Sequence, residues 1–291
     1  MKRKERFVEA LLAISGGLTI LTTLGILIVL LIESIAFFNE VSIVEFLTDT
    51  QWTPLFADKH YGILALVSGT ILTSFIAILV ALPIGLSIAV YLNEYAHPRM
   101  RQIVKPVLEI LAAIPTVVYG FFALTVVTPF LQGFIPGLSG FNSLSPGIVM
   151  GIMIIPFISS MSEDALYAVP KSLREASYGM GATRFQTAFR VLIPAASSGI
   201  IVSVILAISR AIGETMIVAV AAGQQPRLTL DPLVPVQTIT TYIVQVSMGD
   251  VEQNSIEFRS IFAAGITLFV FTFVLNTISA KVKRKFQHKY E

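Results

Sequence analysis

The sequence predicts an all-α integral membrane protein with six transmembrane helices, and three observations carry that reading. Of 291 residues, 55% are hydrophobic and 13% charged, with a mean hydropathy of +0.80, a balance that suits a chain solvated by lipid. The apolar residues gather into long runs that a hydrocarbon core of roughly 30 Å requires of a spanning helix, about 20 residues each. Lysine and arginine crowd alternate loops, as they do where segments resist translocation.

Taken in order, the predicted spans cover 10–36, 64–93, 107–131, 146–168, 196–222 and 260–280. The first follows the basic Lys2, Arg3, Lys4 and Arg6. Its run exceeds the roughly 7–15 apolar residues of a signal peptide, and no small-residue cleavage site closes it, so it reads as a retained anchor. No charge falls between Glu109 and Glu163, and only the turn chemistry of 133–146, Gly-Phe-Ile-Pro-Gly-Leu-Ser-Gly-Phe-Asn-Ser-Leu-Ser-Pro, divides that stretch into the third and fourth spans. Arg99, Arg101 and Lys105 follow the second span, Lys171, Arg174, Arg184 and Arg190 the fourth, and Lys281, Lys283, Arg284, Lys285 and Lys289 the sixth. The remaining loops are net acidic, so both termini are expected to be cytoplasmic. The expected organisation is a first helix with an external loop (1–63), a transmembrane domain (64–280) and a basic cytoplasmic tail (281–291). Pro83, Pro115, Pro129 and Pro156 fall inside spans and are read as local kinks and close-packing sites.

Several function classes fall away. A net charge of +2 without a basic face argues against nucleic acid. There is no cysteine, and His60, His97 and His288 are far apart, so no metal site is expected. The phosphate-cradling G-x-x-x-x-G-K-[ST] loop is absent. Glu163 and Asp164 are adjacent and point to different sides of a helix, which does not build an acid/base pair.

The loop at 169–194 is too polar to span. Val169 before Pro170 is expected to be extended, with Ser172 capping a short helix whose N3 residue is Glu175. Gly181 interrupts, and a second short helix through Phe185, Ala188 and Phe189 stops at Pro194. By periodicity this hairpin suits lipid headgroups and a protein partner equally.

The fifth predicted span holds Ser209-Arg-Ala-Ile-Gly-Glu-Thr215. A charge at the bilayer centre costs at least ~2.5–3.5 kcal/mol, so Arg210 and Glu214 are expected to face a cavity or each other. Four residues apart on a helix they stack and pair. Such a pair serves either to fix helix register or to relay an anion, the guanidinium fork matching phosphate oxygens. The Glu also accepts a hydrogen bond from a protonated oxyanion, which favours phosphate over fully ionised sulfate.

Two stretches carry a family resemblance. Glu175-Ala-Ser177, three residues, Gly181, nine residues, then Val191-Leu-Ile-Pro194 resembles the EAA loop of ABC importer permeases, departing from its pattern at Ser177, Val191 and Ile193. Ser209-Arg-Ala-Ile-Gly-Glu-Thr-Met216 resembles the fifth-helix signature of phosphate ABC permeases. Trp52-Thr-Pro-Leu-Phe56, Ile114-Pro-Thr-Val-Val-Tyr-Gly-Phe-Phe-Ala123, Gly151-Ile-Met-Ile-Ile-Pro156, Thr215-Met-Ile-Val218 and Gln245-Val-Ser-Met-Gly-Asp250 resemble PstC-type subunits more than their PstA-type partners.

The resemblance implies a type I ABC importer permease fold in the bacterial plasma (inner) membrane. It places ATPase coupling on Glu175, Ala176, Gly181 and Pro194, and the phosphate path on Arg210 and Glu214. The implied partners are a second permease subunit (PstA type), two ATP-binding subunits (PstB type), an extracytoplasmic phosphate-binding protein (PstS type) and membrane lipid. No catalysis and no cofactor are expected in this chain, ATP and Mg belonging to the ATPase. A permease for sulfate or molybdate and a non-transporting membrane scaffold or sensor stand as alternatives.

Overall fold

The computed structural model describes residues 2–287; His288 and Lys289 of the expected tail lie outside them. In chain order the helices are α1 (Lys2–Phe38), α2 (Ile43–Thr48), α3 (Leu64–Val90), α4 (Pro98–Ala113), α5 (Thr116–Phe122), α6 (Thr128–Gln132), α7 (Leu144–Tyr167), α8 (Lys171–Gly179), α9 (Arg184–Thr187), α10 (Ile193–Ala195), α11 (Ser197–Ile212), α12 (Met216–Ala221), α13 (Ile239–Ser247) and α14 (Ile256–Gln287). π-helical turns at Tyr91–Tyr95, Ala123–Val127 and Ala188–Leu192 extend α3, join α5 to α6 and join α9 to α10.

Four helices are long and apolar enough to cross a membrane unaided, at Phe7–Phe38, Leu64–Tyr95, Leu144–Tyr167 and Ile256–Val282. Two bent pairs, Pro98–Ala113 with Thr116–Gln132 and Arg184–Ala195 with Ser197–Ile212, bring the total to six when each pair is counted as one span. An even number of crossings returns both ends of the described chain to one side.

The central core lies where α3 and α7 pack along each other and α11, α12 and α5 close over them, burying Ala77, Ala81, Met150, Ile154, Ala207 and Ile217. Small residues set the approach: a Cβ on Gly151 would sit 2.8 Å from the Ala77 carbonyl oxygen. That closeness suits membrane helices, which associate by packing without a hydrophobic drive between them. By contrast, α1 touches the body mainly along α14, where Ser34 Oγ donates to the Phe262 carbonyl at 3.0 Å; its last turn buries Phe37, and most of its other described apolar side chains are exposed.

Outside, α2 and the segment around Trp52 fold into an aromatic cluster of Phe37, Phe46, Trp52, Tyr61 and Tyr242, with Trp52 and Tyr242 rings crossing edge to face at 5.0 Å. A single antiparallel bridge joins Trp52 to Tyr61. On the opposite side, Val90, Leu166, Val169, Ala188 and Leu192 form a smaller core that seats the 169–194 loop on the ends of α3 and α7.

Two spans differ from expectation. The third was expected over 107–131, but the chain turns by 88° between α4 and α5, at Ile114 and Pro115. Glu109 therefore sits on α4, whose Leu108 face packs inward while Ile103, Val107 and Ile110 are exposed. The residue before a proline avoids helical backbone, and Ile114 is extended at φ −64°, ψ 129°. The fifth was expected to run over 196–222 without interruption; it breaks between α11 and α12.

Candidate transport path and coupling surface

The break in the fifth span is built from backbone groups that find new partners. At the end of α11 the Gly213 amide donates to Ser209 O (3.2 Å) and the Glu214 amide to Ala211 O (3.1 Å), a tightened last turn. Thr215 then leaves helical backbone at φ −120°, ψ −56°. The first amides of α12 have no carbonyl behind them, and Glu214 Oε1 accepts from both Met216 N (3.1 Å) and Ile217 N (3.3 Å). A carboxylate is well placed there, against the positive end of a helix.

This geometry corrects the expected ion pair. The stacking of Arg210 on Glu214 needs one continuous helix, and the break removes it: the ion pairs among the described residues do not include these two. Arg210 is exposed in the last turn of α11, while Glu214 is half-buried. Near Arg210, Ser209 Oγ lies 3.5 Å from Asn276 Oδ1 of α14. The surroundings thus hold a guanidinium without an ion-pair partner among the described residues, a carboxylate with one oxygen committed to α12, and neutral polar groups.

The 169–194 loop also departs in detail from its expected form. α8 begins at Lys171 with Pro170 as its N-cap residue and no side-chain cap, so the box expected from Ser172 and Glu175 is absent. The box belongs to the second helix, where Thr183 Oγ1 accepts from Gln186 N (3.2 Å) and Gln186 Oε1 from Thr183 N (2.9 Å). Gly181 separates the two helices with φ +82°, a left-handed conformation that favours glycine. Pro194 does not end the second helix: α10 passes through it, and the chain bends by 72° into α11 after Ala195.

Residues the sequence reading passed over hold this loop in place. Arg174 donates to Asn93 Oδ1 at 2.7 Å and sits 3.0 Å from Glu94 Oε1, while Tyr178 donates to Glu94 Oε2 at 2.7 Å. Arg101 grips the same π-helical turn from α4, through Leu92 O (2.7 Å) and Asn93 O (3.2 Å). The Glu94 side chain is only 3% exposed. Breaking such a pair leaves a stranded charge, so Arg174 and Glu94 fasten α8 to the end of α3. The signal in the sequence was a bare Asn-Glu at the end of a span, and no spacing rule links it to an Arg 80 positions later. Ser177, the departure from the EAA pattern, bonds Thr187 between the two short helices (2.9 Å).

Glu175 and Ala176 are exposed on α8 beside Gly179 and Met180, and Pro194 is exposed at the bend. Phe185 and Phe189, with ring centroids 4.5 Å apart, are exposed as well. The loop therefore presents exposed apolar side chains together with Glu175 and the basic Lys171, Arg184 and Arg190, while Arg174, Tyr178 and Ser177 fasten it to its neighbours. From the start of α11 at this loop to Arg210 is about 20 Å of helix at 1.5 Å per residue. On α7, Glu163 is buried and paired with Lys105 of α4 (3.1 Å), and Asp164 is exposed.

On the external side His60 Nδ1 lies 2.8 Å from Asp49 Oδ2 and its Nε2 3.5 Å from Asp58. The hydrogen bond to Asp49 holds the His60 imidazolium, raising its pKa above the ordinary value. The Gln51 amide, assisted by His60, pulls the Asp49 carboxyl down. Lys59 pairs with Glu257 nearby. Among the described residues no cluster of three or more His, Cys, Asp or Glu forms a candidate metal site.

Residues 81–288 match the model of the binding-protein-dependent transport system inner membrane component. The chain is 39% identical over 236 residues to a probable ABC transporter permease protein of Bacillus subtilis, covering 81% of this chain and 76% of that protein. It is 36% identical over 256 residues to the phosphate transport system permease protein PstC of Mesorhizobium japonicum, covering 80% and 76%. Among solved structures, an alginate ABC transporter chain superposes with a TM-score of 0.58 at 19% identity, over 89% of this chain and 95% of that one. A chain of the inward-facing MetNI methionine transporter does so at 0.57 and 19%, over 77% and 94%. The fold is thus that of ABC importer permeases, and the chain belongs to the family of binding-protein-dependent transport system inner membrane components.

Proposed function

We propose that the chain is one permease subunit of an ATP-driven phosphate importer. It forms the membrane path with a second, PstA-type permease above two PstB-type ATPases and receives phosphate from a PstS-type binding protein. The observation that carries the reading is Arg210: a guanidinium exposed inside a spanning segment, with no ion-pair partner among the described residues. A charge in that position is stable where it faces a water-filled path between subunits, and its planar fork suits a phosphate oxyanion. Glu214 Oε2 makes no hydrogen bond to another group of the chain among the described residues, so it is free to accept from a protonated phosphate, which sulfate does not offer. The relatives whose names specify phosphate support the cargo.

Glu175, Ala176, Gly181 and Pro194 form the coupling surface in this reading. An ATPase seated against α8 pushes on a body that Glu94 and Arg174 fasten to α3. In this reading ATP hydrolysis belongs to the ATPase subunits.

The test is ATP-dependent uptake of labelled phosphate by the reconstituted complex with its binding protein. Arg210→Ala assembles and loses uptake, and Glu175→Lys separates ATP hydrolysis from uptake. Uptake of sulfate in place of phosphate by the wild-type complex would overturn the cargo, and normal uptake by Arg210→Ala would overturn the anion path.

A further inference from the structure

We infer that Thr240, in the external-loop helix α13, is a positioning residue for Glu214 and holds open the break in the fifth span. In an unbroken helix the Glu214 carbonyl accepts from the amide four residues ahead. Here it accepts from Thr240 Oγ1 at 2.8 Å, across 26 positions of chain. Thr240 is 7% exposed, in surroundings where an unpaired carbonyl is costly. The hydroxyl thus supplies what the break removed. With the Glu214 carbonyl and carboxylate bound on opposite flanks, by Thr240 and by the amides of α12, the residue is fixed at two points.

A threonine hydroxyl has one proton, and Thr240 gives it to Glu214. Around it the start of α13 is knit by its own hydroxyls: Thr238 Oγ1 lies 3.0 Å from Thr240 Oγ1 and donates to Thr241 Oγ1 at 3.1 Å, and Thr241 Oγ1 donates to the Thr238 carbonyl at 3.0 Å.

The start of α13 is held against α3: Ile239 N donates to Thr70 Oγ1 (3.1 Å), and a Cβ on Gly69 would lie 2.3 Å from Gln237 O. On α14, Ser260 bonds the Tyr242 hydroxyl, and the Tyr242 ring meets Trp52 of the external lobe. A helix anchored on three sides by these groups gives Thr240 a fixed point from which to hold the break. It also links the external lobe directly to the residue proposed to meet the anion.

This inference rests on the proposed role of Glu214, and the experiment separates the two. Phosphate uptake is measured in the reconstituted complex for Thr240→Ser, Thr240→Val, Thr240→Ala, Glu214→Ala and the double variant Glu214→Ala/Thr240→Val, with assembly checked by co-purification of the subunits. Thr240→Ser keeps uptake within about twofold of wild type, and Thr240→Val and Thr240→Ala lower it roughly five- to tenfold, the size of one lost hydrogen bond. The double variant transports no worse than Glu214→Ala alone, because Thr240 acts through Glu214.

Thr240→Ser failing as badly as Thr240→Val would assign the effect to the methyl group and overturn the inference. So would Thr240→Val at wild-type uptake while Glu214→Ala is impaired, which leaves the path reading intact. Wild-type uptake by Glu214→Ala overturns the role of Glu214 and this inference together. If Thr240→Val fails to assemble, the serine and alanine variants carry the same comparison.

Discussion

The fourth and fifth spans invert the usual reading of helix breakers. α7 carries Pro156 in its middle and runs unbroken from Leu144 to Tyr167, although the proline removes an amide from the hydrogen-bond ladder. The fifth span has no proline between 197 and 221 and breaks nevertheless, between Ile212 and Met216. The difference lies in where freed backbone groups go. In the fourth span, close packing against α3 holds the helix to its course. In the fifth, the Glu214 carboxylate takes the amides of α12 and Thr240 takes the Glu214 carbonyl, so the broken form is fully bonded at those groups. In a membrane interior, which has little water to take up loose backbone groups, a helix breaks where alternatives are supplied.

The largest expected effect attacks that comparison at its centre. Glu214→Ala removes both the acceptor for two α12 amides and the carboxylate proposed to meet the anion, and phosphate uptake by the reconstituted complex falls on the order of 100-fold, as for loss of a charge-assisted contact. Uptake unchanged from wild type would make the break a structural accident.

Next, Arg174→Ala strands the buried Glu94 and frees α8 from α3. Uptake falls roughly tenfold while ATP hydrolysis continues, and the two rates measured on one preparation report the uncoupling. A parallel fall in both rates would instead point to loss of assembly.

The external lobe extends the contrast to an aqueous setting, where partners are weaker. The His60 pKa is raised by Asp49, so its contribution is complete below the ordinary histidine value and is lost as pH rises through the raised one. Asp49 is lowered, so its contribution survives acidification until pH falls through its depressed value. Between pH 6 and 8.5 only the His60 part changes. Trp52 is the sole tryptophan and reports the lobe by fluorescence. Its thermal midpoint drops on the order of a degree across that interval, as suits an exposed pair, and His60→Gln abolishes the dependence.

Smallest of all is Pro156→Ala. If packing against α3 sets the path of α7, uptake stays within about twofold of wild type, because alanine restores an amide that the helix already did without. A large loss would show that Pro156 shapes the fourth span after all, and the comparison would fail from that side.

Much of this molecule is written locally. Continuous apolar runs specify the first, second, fourth and sixth crossings because a spanning helix needs only length and apolarity, both of which are properties of a segment. Gly181 marks the turn between α8 and α9 for the same reason, since the left-handed backbone it adopts is a property of one residue. What the sequence left undecided depends on groups far apart in the chain. Stacking of Arg210 on Glu214 follows from a four-residue spacing only if the helix continues, and Thr240, 26 positions on, is what bonds the Glu214 carbonyl when it does not. The seating of α8 depends on Arg174 finding Asn93 and Glu94 some 80 positions earlier, a meeting that α3 and α7 arrange by packing side by side. By itself, then, the sequence determined that the chain crosses the membrane and which residues are charged where charge is costly. The tertiary structure alone decided how those charges are partnered, because inside a bilayer a polar group is satisfied by whichever donor or acceptor the fold brings within 3 Å or so.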